Sequence, residues 1–223
     1  SIPLWLSKQQ KRYRAVKRIA DTLLALLAVP VLFLPFVCIT FVMKLANPGE
    51  SVFFLQERIG MNEKTFYMVK FRTMRAITPG NIPTSQLDHP EMYYLHLGRF
   101  LRRTSIDELP QIFNIFTGKM SIIGPRPALW NQDDLIAERD KYGANDIKPG
   151  LTGWAQINGR DELEISEKAR LDGEYAEKMS FAFDCKCFFG TIKSVLHHDG
   201  VVEGGTGELK REEKEKETEF ISK

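Results

Sequence analysis

Residues 22–43 read TLLALLAVPVLFLPFVCITFVM, with no charged side chain between Asp21 and Lys44. A helix needs roughly 20 apolar residues to cross the hydrocarbon core of a bilayer, so the run qualifies as a membrane element. It is too long for a secretory signal peptide and has no small-residue cleavage site at its end. Pro30 and Pro35 sit inside it. Each removes a helical hydrogen bond and crowds the preceding turn, which predicts a kink or a break. Upstream, Lys8, Lys11, Arg12, Arg14, Lys17 and Arg18 precede the first acid, Asp21. That basic lead-in suits anionic headgroups and should stay cytoplasmic. Charge alone leaves two topologies open. The helix spans as a signal anchor and the rest of the chain lies outside, or it bends at the prolines and re-enters, keeping both ends inside.

The remainder is ordinary for a folded domain: 223 residues in all, 43% hydrophobic and 27% charged. A net charge of +2 gives no indication of nucleic acid as a partner. Cys38, Cys185 and Cys187 are odd in number and lack Cys-x-x-Cys spacing, which argues against a disulfide framework and a zinc site. The chain divides into a lead-in with its membrane helix (1–46), a globular body (47–200) and a charged tail (201–223) with little to bury.

Within the body, Val52 to Ile59 and Thr65 to Thr73 predict a β-hairpin, with Lys70 and Arg72 on one face. Residues 76–90 carry Pro79, Gly80, Pro83 and Pro90 and read as a loop. Glu91 to Arg103 predicts an amphipathic helix with a basic end, suited to a membrane surface or to packing on the core. Helices are also expected from Ile112 to Phe116, Asn131 to Tyr142, Glu162 to Lys178 and Phe181 to Leu196. The last is apolar on most sides, so its Asp184 should have a cationic partner. His197-His198-Asp199 makes a poor metal pair, because adjacent side chains on a helix face different ways.

The chemistry concentrates at Asp107-Glu108. Ser105 and Glu108 have capping-box spacing, and the start of a helix would favour negative charge at Asp107. A helix cap with a solvated charge cluster is the plainer reading of this stretch. Around it the chain holds many cations: Lys70, Arg72, Arg102, Arg103, Arg126 and Arg160. Arg126, between Pro125 and Pro127, sits in a stiff extended backbone suited to meeting an anion. The glycine-dense segment from Gly150 to Arg160 allows close backbone approach, as a nucleotide loop needs, though with no Walker or dinucleotide spacing. There is no Ser/His or Cys/His nucleophile set. Arginines around carboxylates suit phosphate-bearing substrates, and a carboxylate can attack phosphorus if cations screen the charge between them.

Four ordered motifs carry a resemblance: Lys70-Phe71-Arg72-Thr73-Met74; Gly98-Arg99-Phe100-Leu101-Arg102-Arg103-Thr104-Ser105-Ile106-Asp107-Glu108-Leu109-Pro110-Gln111; Gly124-Pro125-Arg126-Pro127; and Gly150-Leu151-Thr152-Gly153-Trp154-Ala155-Gln156-Ile157-Asn158-Gly159-Arg160. From about Lys11 to Gly200 the chain resembles the bacterial sugar transferase family. These are the small monotopic phosphoglycosyl transferases that begin capsule, exopolysaccharide and glycoprotein glycan assembly. The resemblance implies a ping-pong reaction on the cytoplasmic face of the bacterial inner membrane. Asp107 would attack the sugar-bearing phosphate of a UDP-sugar, releasing UMP and forming a covalent phosphosugar-aspartate. Polyprenyl (undecaprenyl) phosphate would then take the sugar phosphate, giving polyprenyl-diphosphate-sugar.

By the same resemblance, Mg2+ would sit at Asp107, and Glu108 would orient the site or take a proton from the lipid phosphate. Lys70, Arg72, Arg102, Arg126 and Arg160 would bind phosphates, and Asp184 would be a further active-site acid. The family's membrane element is a re-entrant helix broken at a proline that often follows serine. Here Leu34-Pro35 stands at that place, Pro30 lies one turn earlier, and the serine is absent. A nucleotide-sugar is a cytoplasmic metabolite, which favours re-entry over spanning. The expected fold is α+β, mainly helical: a re-entrant membrane helix broken at proline, a small β-hairpin and amphipathic interfacial helices. A homo-oligomer is compatible with this reading. The alternatives are a membrane-bound glycosyltransferase that releases UDP, and a membrane-anchored adaptor without activity.

Overall fold

The computed structural model describes residues 8–78, 87, 89–159 and 163–197. The apolar run and its basic lead-in form one helix, α1 (Lys8–Ala46), which continues through Pro30 and Pro35 instead of stopping at either. Its residues protected from solvent fall three or four apart: Asp21, Ala25, Ala28, Leu32, Phe36, Ile39 and Met43. That spacing keeps one stripe of the helix on one side. The opposite face is apolar and open, with Leu27, Val31, Phe33 and Leu34 all well exposed.

The stripe is seated on the globular body along its length. Near the start, Gln10 donates to the Ala176 carbonyl (3.3 Å) and Arg18 to the Ile115 carbonyl (2.7 Å). Midway, Ala25 packs with Phe66, Met68, Ile115 and Met120. Towards the end, Phe36 stacks on Phe53 with ring centroids 5.7 Å apart and meets Phe113 edge-on at 6.0 Å. Met43 closes the seam against Phe71 and Leu101.

The hairpin forms as its β-branched and aromatic residues predict. Strand β1 (Phe53–Ile59) pairs antiparallel with β2 (Thr65–Phe71), from Phe53 opposite Phe71 to Ile59 opposite Thr65. The strand β3 (Ser121–Ile123) pairs in parallel with β4 (Gly150–Thr152) across a crossover that contains α4 (Asp133–Asp140). Short α5 (Trp154–Ile157) follows, then α6 (Ile165–Lys178) and α7 (Phe181–His197). Inside, Tyr175, Ala176, Met179 and Cys187 from α6 and α7 pack on Ile123 and Ile147.

Two local expectations need correction. The helix expected from Glu91 to Arg103 is only α2 (Gly98–Arg103), preceded by a 3-10 turn at Pro90–Tyr93. Between them the chain runs alongside the extension of β2, where Leu95 N–H donates to the Thr73 carbonyl and Arg75 N–H to that of Tyr93. Those long-range bonds outcompete the helical pattern, and Leu97 takes a left-handed conformation to start α2. The helix start at Asp107 is likewise a 3-10 segment, Ile106–Gln111, leading into α3 (Ile112–Phe116). The central part of the 76–90 loop, His198-Asp199 and the tail lie outside the described residues.

Candidate active site

Three of the four motifs converge on Glu108. Lys70, near the end of β2, places Nζ 2.9 Å from Glu108 Oε1. Arg126 reaches the same carboxylate with both guanidinium nitrogens, 2.6 Å to Oε1 and 3.5 Å to Oε2. Burial alone would raise the Glu108 carboxyl, but Arg126 and then Lys70 hold it well below the usual carboxylate range. Glu108 is therefore a fixed anion, and the two cations are fixed by it.

Asp107 differs, though it is the next residue. It is 6% exposed, and among the described residues its carboxylate makes no hydrogen bond or ion pair. Burial pushes its pKa up to about 6; Lys70 opposes the rise, Glu108 adds to it, and Arg102 and Arg126 oppose it further. The capping box does not form. Ser105 is left-handed (φ 57°) with no side-chain cap, and the Glu108 side chain is taken by Lys70 and Arg126. Asp107 remains ionised at neutral pH because of neighbouring cations, against the effect of its own burial.

The elements that hold the pair in place explain the motifs. Asn114 of α3 accepts from Val69 N–H (3.1 Å) and donates to the Tyr67 carbonyl (2.8 Å), pairing the edge of β2 that β1 leaves open. Ile106 and Leu109 pack beside Phe71 and Leu101. This clamp sets the 3-10 segment against the strand and brings Glu108 to Lys70. The sequence reading passed over Asn114; its signal was one buried polar residue in the apolar helix Ile112–Phe116.

The segment carrying Arg126 is held from two sides. Arg58 Nη1 donates to the Pro127 carbonyl (3.0 Å), and Ile59 N–H to that of Ala128 (2.9 Å). From the other side, Gly150 N–H donates to the Pro125 carbonyl and Gly124 N–H to that of Thr152. A Cβ on Gly153 would sit 2.1 Å from the Gly124 carbonyl oxygen. The glycines of the fourth motif thus admit another strand of the same chain, which corrects their reading as a nucleotide loop. That motif supports Arg126 from behind.

The other candidates fall in different places. Arg72 lies with its guanidinium 5.5 Å over the ring of Phe54, the residue opposite Lys70, and its Nε is buried without a partner. Arg102 leans on Tyr94 and acts on Asp107 through its charge. Arg160 lies outside the described residues. Asp184 has the cationic partner that its apolar helix predicted: Lys17 of α1 at 2.5 Å, with the hydroxyls of Tyr13 (2.7 Å) and Tyr175 (2.6 Å) also donating to it. Among the described residues no contact joins Asp184 to Asp107 or Glu108. It ties α1 to the body.

No group of three His, Cys, Asp or Glu side chains that could cage a metal occurs among the described residues. A cavity of about 740 Å³ lies by α4 and α6, lined by Asp140, Tyr142, Arg170 and Glu174 among others, and shares no residue with the Glu108 cluster.

Residues 12–198 match the family model for bacterial sugar transferases. The chain is 38% identical over 204 residues to the UDP-glucose:undecaprenyl-phosphate glucose-1-phosphate transferase of Escherichia coli, covering 86% of this chain and 42% of that protein. It is 40% identical over 153 residues to the uncharacterized sugar transferase EpsL of Bacillus subtilis, covering 69% of this chain and 74% of EpsL. It is 34% identical over 193 residues to an Aeromonas hydrophila UDP-N-acetylgalactosamine-undecaprenyl-phosphate N-acetylgalactosaminephosphotransferase, covering 82% of this chain and 44% of that protein. With the match running through all four motifs that build and brace the Glu108 cluster, the chain belongs to the bacterial sugar transferase family.

Proposed function

We propose that this protein is a phosphoglycosyl transferase that moves a sugar-1-phosphate from a UDP-sugar to undecaprenyl phosphate, with Asp107 as the nucleophile. The observation that carries this reading is the division of labour between neighbouring carboxylates. Glu108 is neutralised by Lys70 and Arg126, while Asp107 has no ion pair and titrates near neutrality. A nucleophile must be ionised yet unencumbered, and Asp107 meets both conditions.

In the first step an Asp107 carboxylate oxygen forms a bond to the sugar-bearing phosphorus as the bond from that phosphorus to UMP breaks. Lys70, Arg72, Arg102 and Arg126 outnumber the two carboxylates, and their surplus charge suits a diphosphate and stabilises charge developing on its oxygens. In the second step an oxygen of the lipid phosphate attacks the same phosphorus, releasing Asp107. A phosphomonoester dianion needs no base to attack. Glu108, held far below the usual carboxylate range, would be a poor one, so its role is to fix Lys70 and Arg126.

The residues suit a substrate-borne Mg2+, which binds through one or two carboxylates together with phosphate oxygens. Asp107 offers the oxygens that Glu108 has committed elsewhere. Such an ion would neutralise diphosphate charge and ease departure of the nucleotide phosphate.

We place the enzyme on the cytoplasmic face of the inner membrane, with α1 dipping into one leaflet and returning and any change of axis falling at Pro30 or Pro35. In support, Gln10 and Met43, near opposite ends of α1, touch the same polar body, while the face between them is open and apolar. The pathway would be exopolysaccharide, capsule or related glycan assembly. Relatives whose names specify glucose and N-acetylgalactosamine leave the sugar to be found by assay.

The test is to incubate the full chain with a UDP-sugar labelled in the sugar-linked phosphate, without lipid acceptor. Label retained on Asp107 and release of UMP are expected. Asp107→Asn should abolish both and reduce turnover by about three orders of magnitude or more. Release of UDP without a labelled protein would refute the proposal.

A further inference from the structure

We infer that Arg99, Arg102 and Tyr94 form the receiving site for the phosphate of the lipid acceptor, separate from the cations that hold the nucleotide-sugar. This inference rests on the two-step transfer proposed above and assigns its second substrate a place.

The guanidinium carbons of Arg99 and Arg102 lie 5.5 and 5.8 Å from the centroid of the Tyr94 ring, and Arg102 Nη1 is 3.5 Å from the Tyr94 hydroxyl. Two cations on one ring face part of their charge towards its π-electrons, which offsets their mutual repulsion without neutralising either. Arg99 is exposed, and among the described residues it has no ion pair. No acid occurs from Met92 to Ile106. The patch is therefore built to attract an anion and holds no internal one.

Its position is set by backbone. Tyr94 bridges to Met74 on the extension of β2, and a Cβ on Gly98 would come within 2.1 Å of the Thr73 carbonyl oxygen, so α2 is pressed onto that extension. Two features choose a lipid as the anion's carrier. Leu101 of α2 packs against Met43, with Phe36 and Ile39 beside it, which puts the patch at the foot of the apolar helix. Around the cations, Met92, Leu97 and Phe100 are 66, 46 and 56% exposed. Apolar side chains beside unneutralised arginines fit a phosphomonoester whose tail stays in the bilayer; a nucleotide would leave them in water. Arg102 also acts on Asp107, so a phosphate on this patch lies next to the carboxylate it must relieve. There its oxygen forms the new bond to the sugar-bearing phosphorus, and the bond from that phosphorus to Asp107 breaks.

The two half-reactions separate the sites. Full-length wild type and Arg99→Gln are each charged with labelled UDP-glucose and, in parallel, UDP-N-acetylgalactosamine. The adduct is then discharged with increasing undecaprenyl phosphate. R99Q should form adduct within about twofold of wild type but need roughly tenfold more lipid for half-maximal discharge. Arg99→Lys should recover part of that loss. Arg99 is exposed, so neither change threatens the fold. Normal discharge by R99Q would overturn the assignment, as would a parallel fall in adduct formation, which would place the nucleotide on this patch. A wild type that forms no adduct with any UDP-sugar would overturn the transfer itself, a distinct outcome.

Discussion

Glu108→Gln separates the two carboxylates by their titration. With Asp107 at about 6, the reactive ionised form makes up about nine-tenths of the protein at pH 7 and about one-tenth at pH 5. The first half-reaction should therefore slow about tenfold between those values, since the group is raised and its active form is the deprotonated one. Glu108 is one of the causes that raise Asp107, and it also engages Lys70 and Arg126, both of which lower it. Glutamine removes the like charge and leaves the two cations acting on Asp107 alone. The acid limb should move to lower pH. A movement of about one pH unit would lift the ionised fraction at pH 5 from about one-tenth to about one-half, a fivefold gain relative to the plateau. The assay is single-turnover release of UMP from pH 4.5 to 8, with thermal unfolding in parallel. A limb that stays near 6 or moves upward in E108Q would refute the electrostatic account. So would a folded variant inert at every pH, which would make Glu108 the acid-base group.

Other consequences can be checked independently. Asn114→Leu leaves the Tyr67 carbonyl and Val69 N–H without their side-chain partner. It should cost about 2–4 kcal/mol in thermal or denaturant unfolding and lower activity through a displaced Glu108, whereas an unchanged midpoint would show that the clamp is dispensable. For topology, Arg12→Cys and Gly49→Cys flank the apolar run, and both should be labelled only from the cytoplasmic side in intact cells and inverted vesicles. Labelling of Gly49→Cys from outside would make α1 a spanning anchor.

Parts of this architecture were legible in the chain because they depend on neighbours in sequence. The hairpin follows from alternating β-branched and aromatic residues, α3 stops where Gly118 turns left-handed (φ 80°), and the apolar setting of Asp184 demanded a cation. What could not be read depends on contacts between distant segments. Ser105 and Glu108 have the spacing of a cap, yet Lys70, 38 positions away, offers Glu108 a stronger partner than a backbone N–H. Residues 91–97 have a helical pattern but supply backbone partners to Thr73 and Arg75. The glycines near Gly153 signal close approach without naming what approaches, and here it is Gly124. At Asp107 the residue was identifiable and its charge state was not, because burial depends on the whole fold.

The seam between α1 and the body has a practical consequence for anyone wanting this enzyme in water. Cutting the helix away would uncover Phe66, Met68, Phe71 and Ile115, strip Asp184 of Lys17 and Tyr13, and leave Ser121 without the Asp21 carboxylate that it reaches at 2.7 Å. A truncated body would be less soluble than the intact chain. The productive redesign keeps the whole helix and exchanges only its outward residues, such as Leu23, Leu27, Val31, Leu34, Phe41 and Leu45, for glutamate, lysine and glutamine. The inner stripe then remains as the piece of protein core it already is.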